Sequence, residues 1–260
     1  MDKSKHVKAS MAEIGVGRHA LQMMQLQSDK PFHDPHDVGA PRLFVANDPN
    51  GSAIELASGI MFDPLDPEPG LMTIEDIAAS QSNTCRFGGH VKRNCYLSTA
   101  QHSVLVALLA PKEIDIQRYA ILHDADESFG IPDFPTPVKK VFPAVKSAQE
   151  RIGEAVEERF DLDPHMHKLV KVADRQALYL ERLACKHRTP ENEATWLQWL
   201  GNAPVPVGVA VIPLQPEDAY DLFMAAYERV FEQDLPITRE WLATRKGFAL
   251  ETSPEFMPGL

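Results

Sequence analysis

Two histidines and two aspartates of this chain fall where a helical core does not ordinarily accept them. His102 lies in the first turns of the helix predicted for STAQHSVLVALLAP: Ser98 and Gln101 have capping-box spacing, Leu105, Leu108 and Leu109 form an apolar stripe, and Pro111 ends the run. A second helix is read from about Asp115. In it His123 follows Tyr119 by four residues and Ala120 by three, which places it on the inward face with Asp124 beside it. Asp174 falls four residues after Val170 and three before Ala177 in LVKVADRQALYLERLA, on the buried side of a third helix. Burying a carboxylate without a partner is prohibitive, so a buried Asp is protonated, paired or bound to a metal. His102, His123, Asp124 and Asp174 can therefore share one cation. Imidazole nitrogen and carboxylate oxygen together suit Zn, Mn, Fe or Co without choosing among them.

These groups need a helical scaffold, and the rest of the chain reads as one. At 260 residues with 44% hydrophobic content it is long enough for one substantial core with extensions, or for two small domains, and its aromatic residues argue against general disorder. A net charge of -11 excludes a surface that tracks a long nucleic acid, while a small anion is compatible with a local basic cluster. Cys85, Cys95 and Cys185 are odd in number and lack C-x-x-C spacing, which reads as reduced thiols rather than a disulfide or zinc framework. No signal peptide, membrane-length apolar run, P-loop or dinucleotide-binding glycine pattern is present, so the chain is expected to be soluble and cytoplasmic, without a membrane partner.

In chain order, residues 1–57 are polar, with a short helix predicted near 11–27. PFHDPHD holds His33, Asp34, His36 and Asp37, but the prolines at 31 and 35 make it an irregular loop, not a second metal cluster. A helix is predicted over 73–82, capped by Thr73 with Asp76 three residues on. Gly88 and Gly89 in CRFGGHVKRN make a sharp turn amid Arg86, Lys92 and Arg93. An amphipathic helix follows over 143–162, and His165 and His167, two apart, do not share a helical face. Trp196, Trp199 and Leu200 predict a helix with its aromatic side covered. A short strand at 207–212 and a closing helix through PEDAYDLFMAAYERVF complete the pattern.

H…HD…D, formed by His102, His123-Asp124 and Asp174, resembles the metal site of the HD-domain phosphohydrolases. LHDADE, PDFPTPVKK and VKVADRQALYLERL are similar to bacterial 5'-deoxynucleotidases of that superfamily and to phage dATP triphosphohydrolases, and IEDIAASQSNTCRFGGH…LSTAQHS resembles the phage members in particular. The resemblance covers about residues 58–235. It implies an all-α fold, an HD-domain helical bundle at 58–235, preceded by an irregular N-terminal extension at 1–57 and followed by a C-terminal tail at 236–260. It also implies a homo-oligomer in the cytoplasm, or in a host cytoplasm if the chain is phage-encoded.

The same resemblance suggests roles. Arg86-Phe87 resembles the Arg-aromatic pair that related nucleotidases place at the substrate; guanidinium suits phosphate and an aromatic face can stack on a base, although a surface cation beside a core Phe would look the same. Glu127 matches an HD-x-x-E pattern and, on a continuous helix, would share the side of His123 and Asp124, able to orient water or move a proton. Asp133 is similar to an Asp of the nucleotidase pattern, with one extra residue before the PTPVK run. His90 is carried by the phage-like pattern, either as a proton donor or as a residue that orders the turn. Lys92 and Lys139 are candidate phosphate contacts, with solvated lysines as the alternative. The expected function is a deoxynucleotide phosphohydrolase with one divalent metal (Zn, Co, Mn or Fe) and additional Mg with a triphosphate. A dNTP triphosphohydrolase that favours dATP leads; a 5'-deoxynucleotidase and a non-catalytic nucleotide sensor are the alternatives.

Overall fold

The computed structural model describes residues 51–134 and 136–250, so the helix expected near 11–27 and the PFHDPHD loop lie outside the described residues. Helix α1 (Ile74–Asn83) starts at Thr73, whose hydroxyl accepts from the Asp76 amide and donates to the Asp76 carboxylate at 2.6 Å. Asp76 is buried but paired, since it also accepts from the amide and hydroxyl of Ser58. Helix α2 (Thr99–Leu109) is capped by Ser98 and is buried from Thr99 to Leu108. A helix covered on every side belongs at the centre of a bundle. Accordingly α2 packs against α1, α3 (Ile114–Leu122), α6 (His167–Cys185) and α8 (Pro216–Tyr227).

The bundle is completed by α4 (Thr136–Val141), α5 (Pro143–Arg159) and α7 (Pro190–Leu200). The described residues are mostly helical, with a short hairpin of β1 (Ile54–Glu55) and β2 (Met61–Phe62) ahead of the bundle. Helix α5 ends three residues earlier than the sequence pattern suggests, at Arg159, because Asp161 turns to a left-handed conformation. Helix α7 begins with a capping box between Thr189 and Asn192, but its aromatic side is not fully covered: Trp199 is 56% exposed, while Leu200 is buried. Helix α8 carries Glu217 and Asp218 in its first turn and runs into one wide turn over Glu228–Glu232.

One difference bears on the site. The helix that carries His123 stops at Leu122, with His123 as its cap, and the chain then tightens into a 3-10 turn, Ala125–Ser128. Glu127 is therefore not on the α-helix that the spacing implied; its amide bonds to the Asp124 carbonyl at 3.2 Å. Asp124, Asp126 and Glu127 would crowd negative charge at a helix C-terminus, where the helix dipole disfavours it, and Asp is a weak helix former.

The C-terminal segment is also part of the core. Strand β3 (Val209–Val211), inside the predicted 207–212 stretch, pairs antiparallel with β4 (Phe248–Leu250), and helix α9 (Arg239–Leu242) lies between them in sequence. Ile237 and Leu242 are fully buried. The boundary expected at residue 235 thus moves to at least Leu250, since two buried glutamines bind this segment to the bundle. The Gln101 carboxamide donates to the carbonyls of Ile212 and Gly247 at 2.9 and 2.8 Å and accepts from the Leu214 amide at 3.0 Å. Gln117 accepts from the Ile237 amide at 2.7 Å and donates to the Ala107 carbonyl at 2.6 Å.

Replacing Gln101 by Leu leaves the buried Leu214 amide without its partner, at a cost of about 1–3 kcal/mol, and removes one bond each from the Gly247 carbonyl, which keeps the Ile212 amide, and from the half-exposed Ile212 carbonyl. The variant is expected to lose about 1–3 kcal/mol in a urea titration; an unchanged midpoint would show that these bonds do not hold the segment. Among the described residues no helix is long and apolar enough to cross a membrane.

Candidate metal centre

Helix α2 supplies His102, fully buried in its first turn; the end of α3 supplies His123 and Asp124; α6 supplies Asp174. Their donor atoms converge. His102 Nε2 lies 3.2 Å from His123 Nε2, 3.4 Å from Asp124 Oδ2 and 3.4 Å from Asp174 Oδ1, and His123 Nε2 lies 3.2 Å from Asp124 Oδ1. Donor atoms of His102, His123 and Asp174 all fall within 4.8 Å of one another. Two donors at about 2.1 Å from a common ion, at tetrahedral or octahedral angles, stand about 3.0–3.4 Å apart. For His102, His123 and Asp174 the spacing is therefore what one first-row divalent ion would need, while Asp124 meets the two histidines through different oxygens, Oδ2 at His102 and Oδ1 at His123.

The outer side of each imidazole supports the same assignment. His123 Nδ1 bonds to the Ala120 carbonyl at 2.8 Å, and a carbonyl can only accept, so Nδ1 carries the proton and the Nε2 lone pair faces the cluster. His102 Nδ1 bonds to Glu181 Oε1 at 2.5 Å, which favours the same tautomer. In these neutral tautomers two lone pairs and two carboxylates face each other, an arrangement that either a proton on His102 or a shared cation resolves. Metal-binding histidines commonly donate their second N–H to a carbonyl or carboxylate in this way.

The electrostatics follow from this crowding. Burial works against ionised Asp124, but His123, His102 and Arg86 hold its carboxyl far below the usual range. Burial likewise opposes the charge on Asp174, and His102 and His123 hold its pKa low. Burial and Arg86 pull His102 down, yet Glu181, Asp124 and Asp174 raise it well above its ordinary value when no cation is present. Asp174 is less covered than the helical pattern implied: Ala173 and Ala177 are buried beside it, but its side chain is 39% exposed. The site thus has a closed floor at His102 and a more exposed rim at Asp174.

Arg86 is brought to this rim. It opens a 3-10 turn, Arg86–Gly89, anchored by its amide to the Leu97 carbonyl at 2.8 Å. Its Nε bonds to Glu181 Oε2 at 3.2 Å, and its Nη1 lies 3.6 Å from Asp124 Oδ2. Burial lowers its pKa, but Glu181 and Asp124 more than offset this and keep the guanidinium charged. Phe87, Gly88 and Gly89 all have positive φ. A left-handed Phe costs about 1–2 kcal/mol, so the neighbouring contacts must hold it. Those contacts are the Trp196 ring, edge-on with centroids 6.1 Å apart, and the Lys186 ammonium, 4.5 Å over the Phe87 face.

Glu127 is held beside Asp124 by its amide, which donates to the Asp124 carbonyl at 3.2 Å. Its pKa is pushed up to about 9, first by burial and then by Asp124, Asp133 and Asp126. Its Oε2 is buried without a hydrogen-bond partner, an orphaned polar atom that fits a water or proton partner at a bound cation. Asp126 is pushed up to about 7 by burial and by Asp124.

The remaining candidates make no direct bond to the four donors, although Asp133 and Lys139 lie close enough to Glu127 to act on its charge. Asp133, 53% exposed, pairs with Lys139 at 2.8 Å. The Lys92 ammonium donates to the Ala184 carbonyl at 3.2 Å and its amide to the Cys185 carbonyl at 2.8 Å, tying the loop to the end of α6. His90 is exposed; its carbonyl accepts from Lys186, and no contact joins its ring to the cluster. Glu181 was not singled out by the sequence reading. The available signal was its position seven residues after Asp174, two helical turns along the same face.

No family model matches the chain. The uncharacterized protein YfdR of Escherichia coli K12 is 35% identical over 161 residues, covering 62% of this chain and 85% of that protein. The uncharacterized protein RCAP_rcc00048 of Rhodobacter capsulatus is 34% identical over 136 residues, covering 48% of this chain and 69% of that protein. With identity at this level across most of the length of the Escherichia coli protein, the chain belongs to the same family as YfdR.

Proposed function

We propose that this chain is an HD-domain phosphohydrolase that cleaves deoxynucleotides with a divalent metal, in first place a dNTP triphosphohydrolase acting on dATP. The observation that carries the reading is the convergence of His102, His123, Asp124 and Asp174 with a charged Arg86 set against the same Asp124. When bound, a divalent ion polarises a phosphate oxygen and acidifies water toward neutrality. Arg86 neutralises charge on the phosphate, and its fork suits phosphate oxygens. Glu127, with a pKa of about 9 in the protein without metal, exchanges a proton with the attacking water or the departing oxygen. Phe87 and Trp196 supply an aromatic corner next to Arg86, suited to a base or sugar face.

The test is product analysis after incubation with Co, Mn, Zn or Mg in turn and each of the four deoxynucleoside triphosphates and monophosphates. Deoxynucleoside with intact inorganic triphosphate is the expected outcome. Efficient cleavage of monophosphates with every triphosphate left intact would replace it by a 5'-deoxynucleotidase, and absence of turnover with all four metals would leave a nucleotide sensor.

A further inference from the structure

We infer that Glu181 is the positioning residue of this centre: a single buried carboxylate that sets both the metal-facing nitrogen of His102 and the direction of the Arg86 guanidinium. The inference rests on the metal-centre reading, but not on the identity of the substrate. Glu181 is fully buried on α6, and each of its oxygens is committed to a different partner. Oε1 accepts a hydrogen bond from His102 Nδ1 at 2.5 Å, and Oε2 accepts one from Arg86 Nε at 3.2 Å.

Those two partners come from separate parts of the chain. His102 is in the first turn of α2, and Arg86 is on the left-handed turn before it; α6 brings Glu181 to both from 79 and 95 residues away. With Nδ1 of His102 donating to Glu181, Nε2 is left as the lone pair directed at His123, Asp124 and Asp174. With Nε of Arg86 held, the outer edge of the guanidinium is turned to Asp124 at the rim. The geometry thus makes metal affinity and anion binding depend on one side chain that touches neither ligand directly.

Glutamine at this position keeps the shape but cannot serve both partners. Its one oxygen accepts from either His102 or Arg86, and its NH2 group then faces the other N–H. For Glu181→Gln the Zn dissociation constant, measured by chelator competition, is expected to rise about 10–100-fold, the usual cost of losing an outer partner of a metal-binding histidine. A role in packing alone would lower the melting temperature and leave the Zn constant within about twofold of wild type; that result would overturn the inference.

A second measurement needs no variant. In the Zn-loaded wild-type protein, nitrogen-15 NMR should find His102 protonated at Nδ1, with that proton protected from exchange, and unprotonated at Nε2. A proton on Nε2, or an Nδ1 proton that exchanges freely, would overturn it. If the wild type binds Zn in this way but cleaves no nucleotide, the proposed activity fails and the inference stands. If Glu181→Gln binds Zn as the wild type does while nucleotides are cleaved, only the inference fails.

Discussion

Asp174→Asn is expected to reduce turnover by about a thousandfold or more, equivalent to about 4 kcal/mol of transition-state stabilisation, and to strip the metal from the purified protein. Asn keeps the volume of Asp but loses its charge, and with it one of the two carboxylates that would balance a divalent ion between two neutral imidazoles. The fold should survive, because the Asp174 side chain is 39% exposed and sits at the rim. Elemental analysis, steady-state kinetics and a melting curve on the same preparation separate the readings. Lost metal and lost turnover with a small change in melting temperature support a catalytic centre. A large fall in melting temperature with turnover unaltered would make the metal structural, and unchanged metal content and turnover would remove Asp174 from the centre.

Glu127→Gln is expected to lower turnover by about 10²–10⁴-fold, the range for removing a positioned acid or base, with metal content unaltered. It also has a signature in stability. In the metal-free protein the Glu127 carboxyl has a pKa raised from 4.5 to about 9, mainly by burial and by Asp124. Between those values the folded chain keeps a proton that the unfolded chain releases. The contribution is fully present below about pH 4.5 and is lost as pH rises through about 9. Glutamine carries no such proton, so the variant should gain stability relative to wild type as pH rises across that window. Urea unfolding of both metal-free proteins near pH 5 and near pH 9 reads this directly, and a constant difference between them at both ends would show that Glu127 does not titrate as its surroundings imply.

The local features were legible in the chain. Ser98 and Gln101, and Thr73 and Asp76, mark helix starts because a cap is made by residues three apart, and both are found as caps. His102, His123, Asp124 and Asp174 could be picked out by helical period alone, because an ionisable group on an apolar face is visible in any stretch of a few turns. Glu127 could be placed near His123 and Asp124, but on the wrong kind of turn. The crowding of Asp124, Asp126 and Glu127 that ends α3 outweighed the continuing helical period.

Partners distant in sequence were not legible. Glu181 in ALYLERL shares the helix face of Asp174, but its pairing with His102 and Arg86 depends on the packing of α6 on α2. The same is true of Gln101 and Gln117, whose carboxamides bind backbone groups more than a hundred residues away and draw residues 237–250 into the core. Trp199 shows the converse: a residue with core composition is left exposed, because whether a helix face is covered depends on which neighbour reaches it.

By itself, then, the amino-acid sequence determined the mainly helical class, the helix starts and the four donors that can meet a cation, since these depend on propensity, capping and a period of 3.6 residues. Only the tertiary structure decided that His102 Nε2 lies 3.2–3.4 Å from donors of His123, Asp124 and Asp174, that Arg86 lies against Asp124, and that Glu181 stands behind both His102 and Arg86. Distances between side chains on different helices are set by how the helices pack, and packing is a property of all the buried surfaces together rather than of any one stretch of chain.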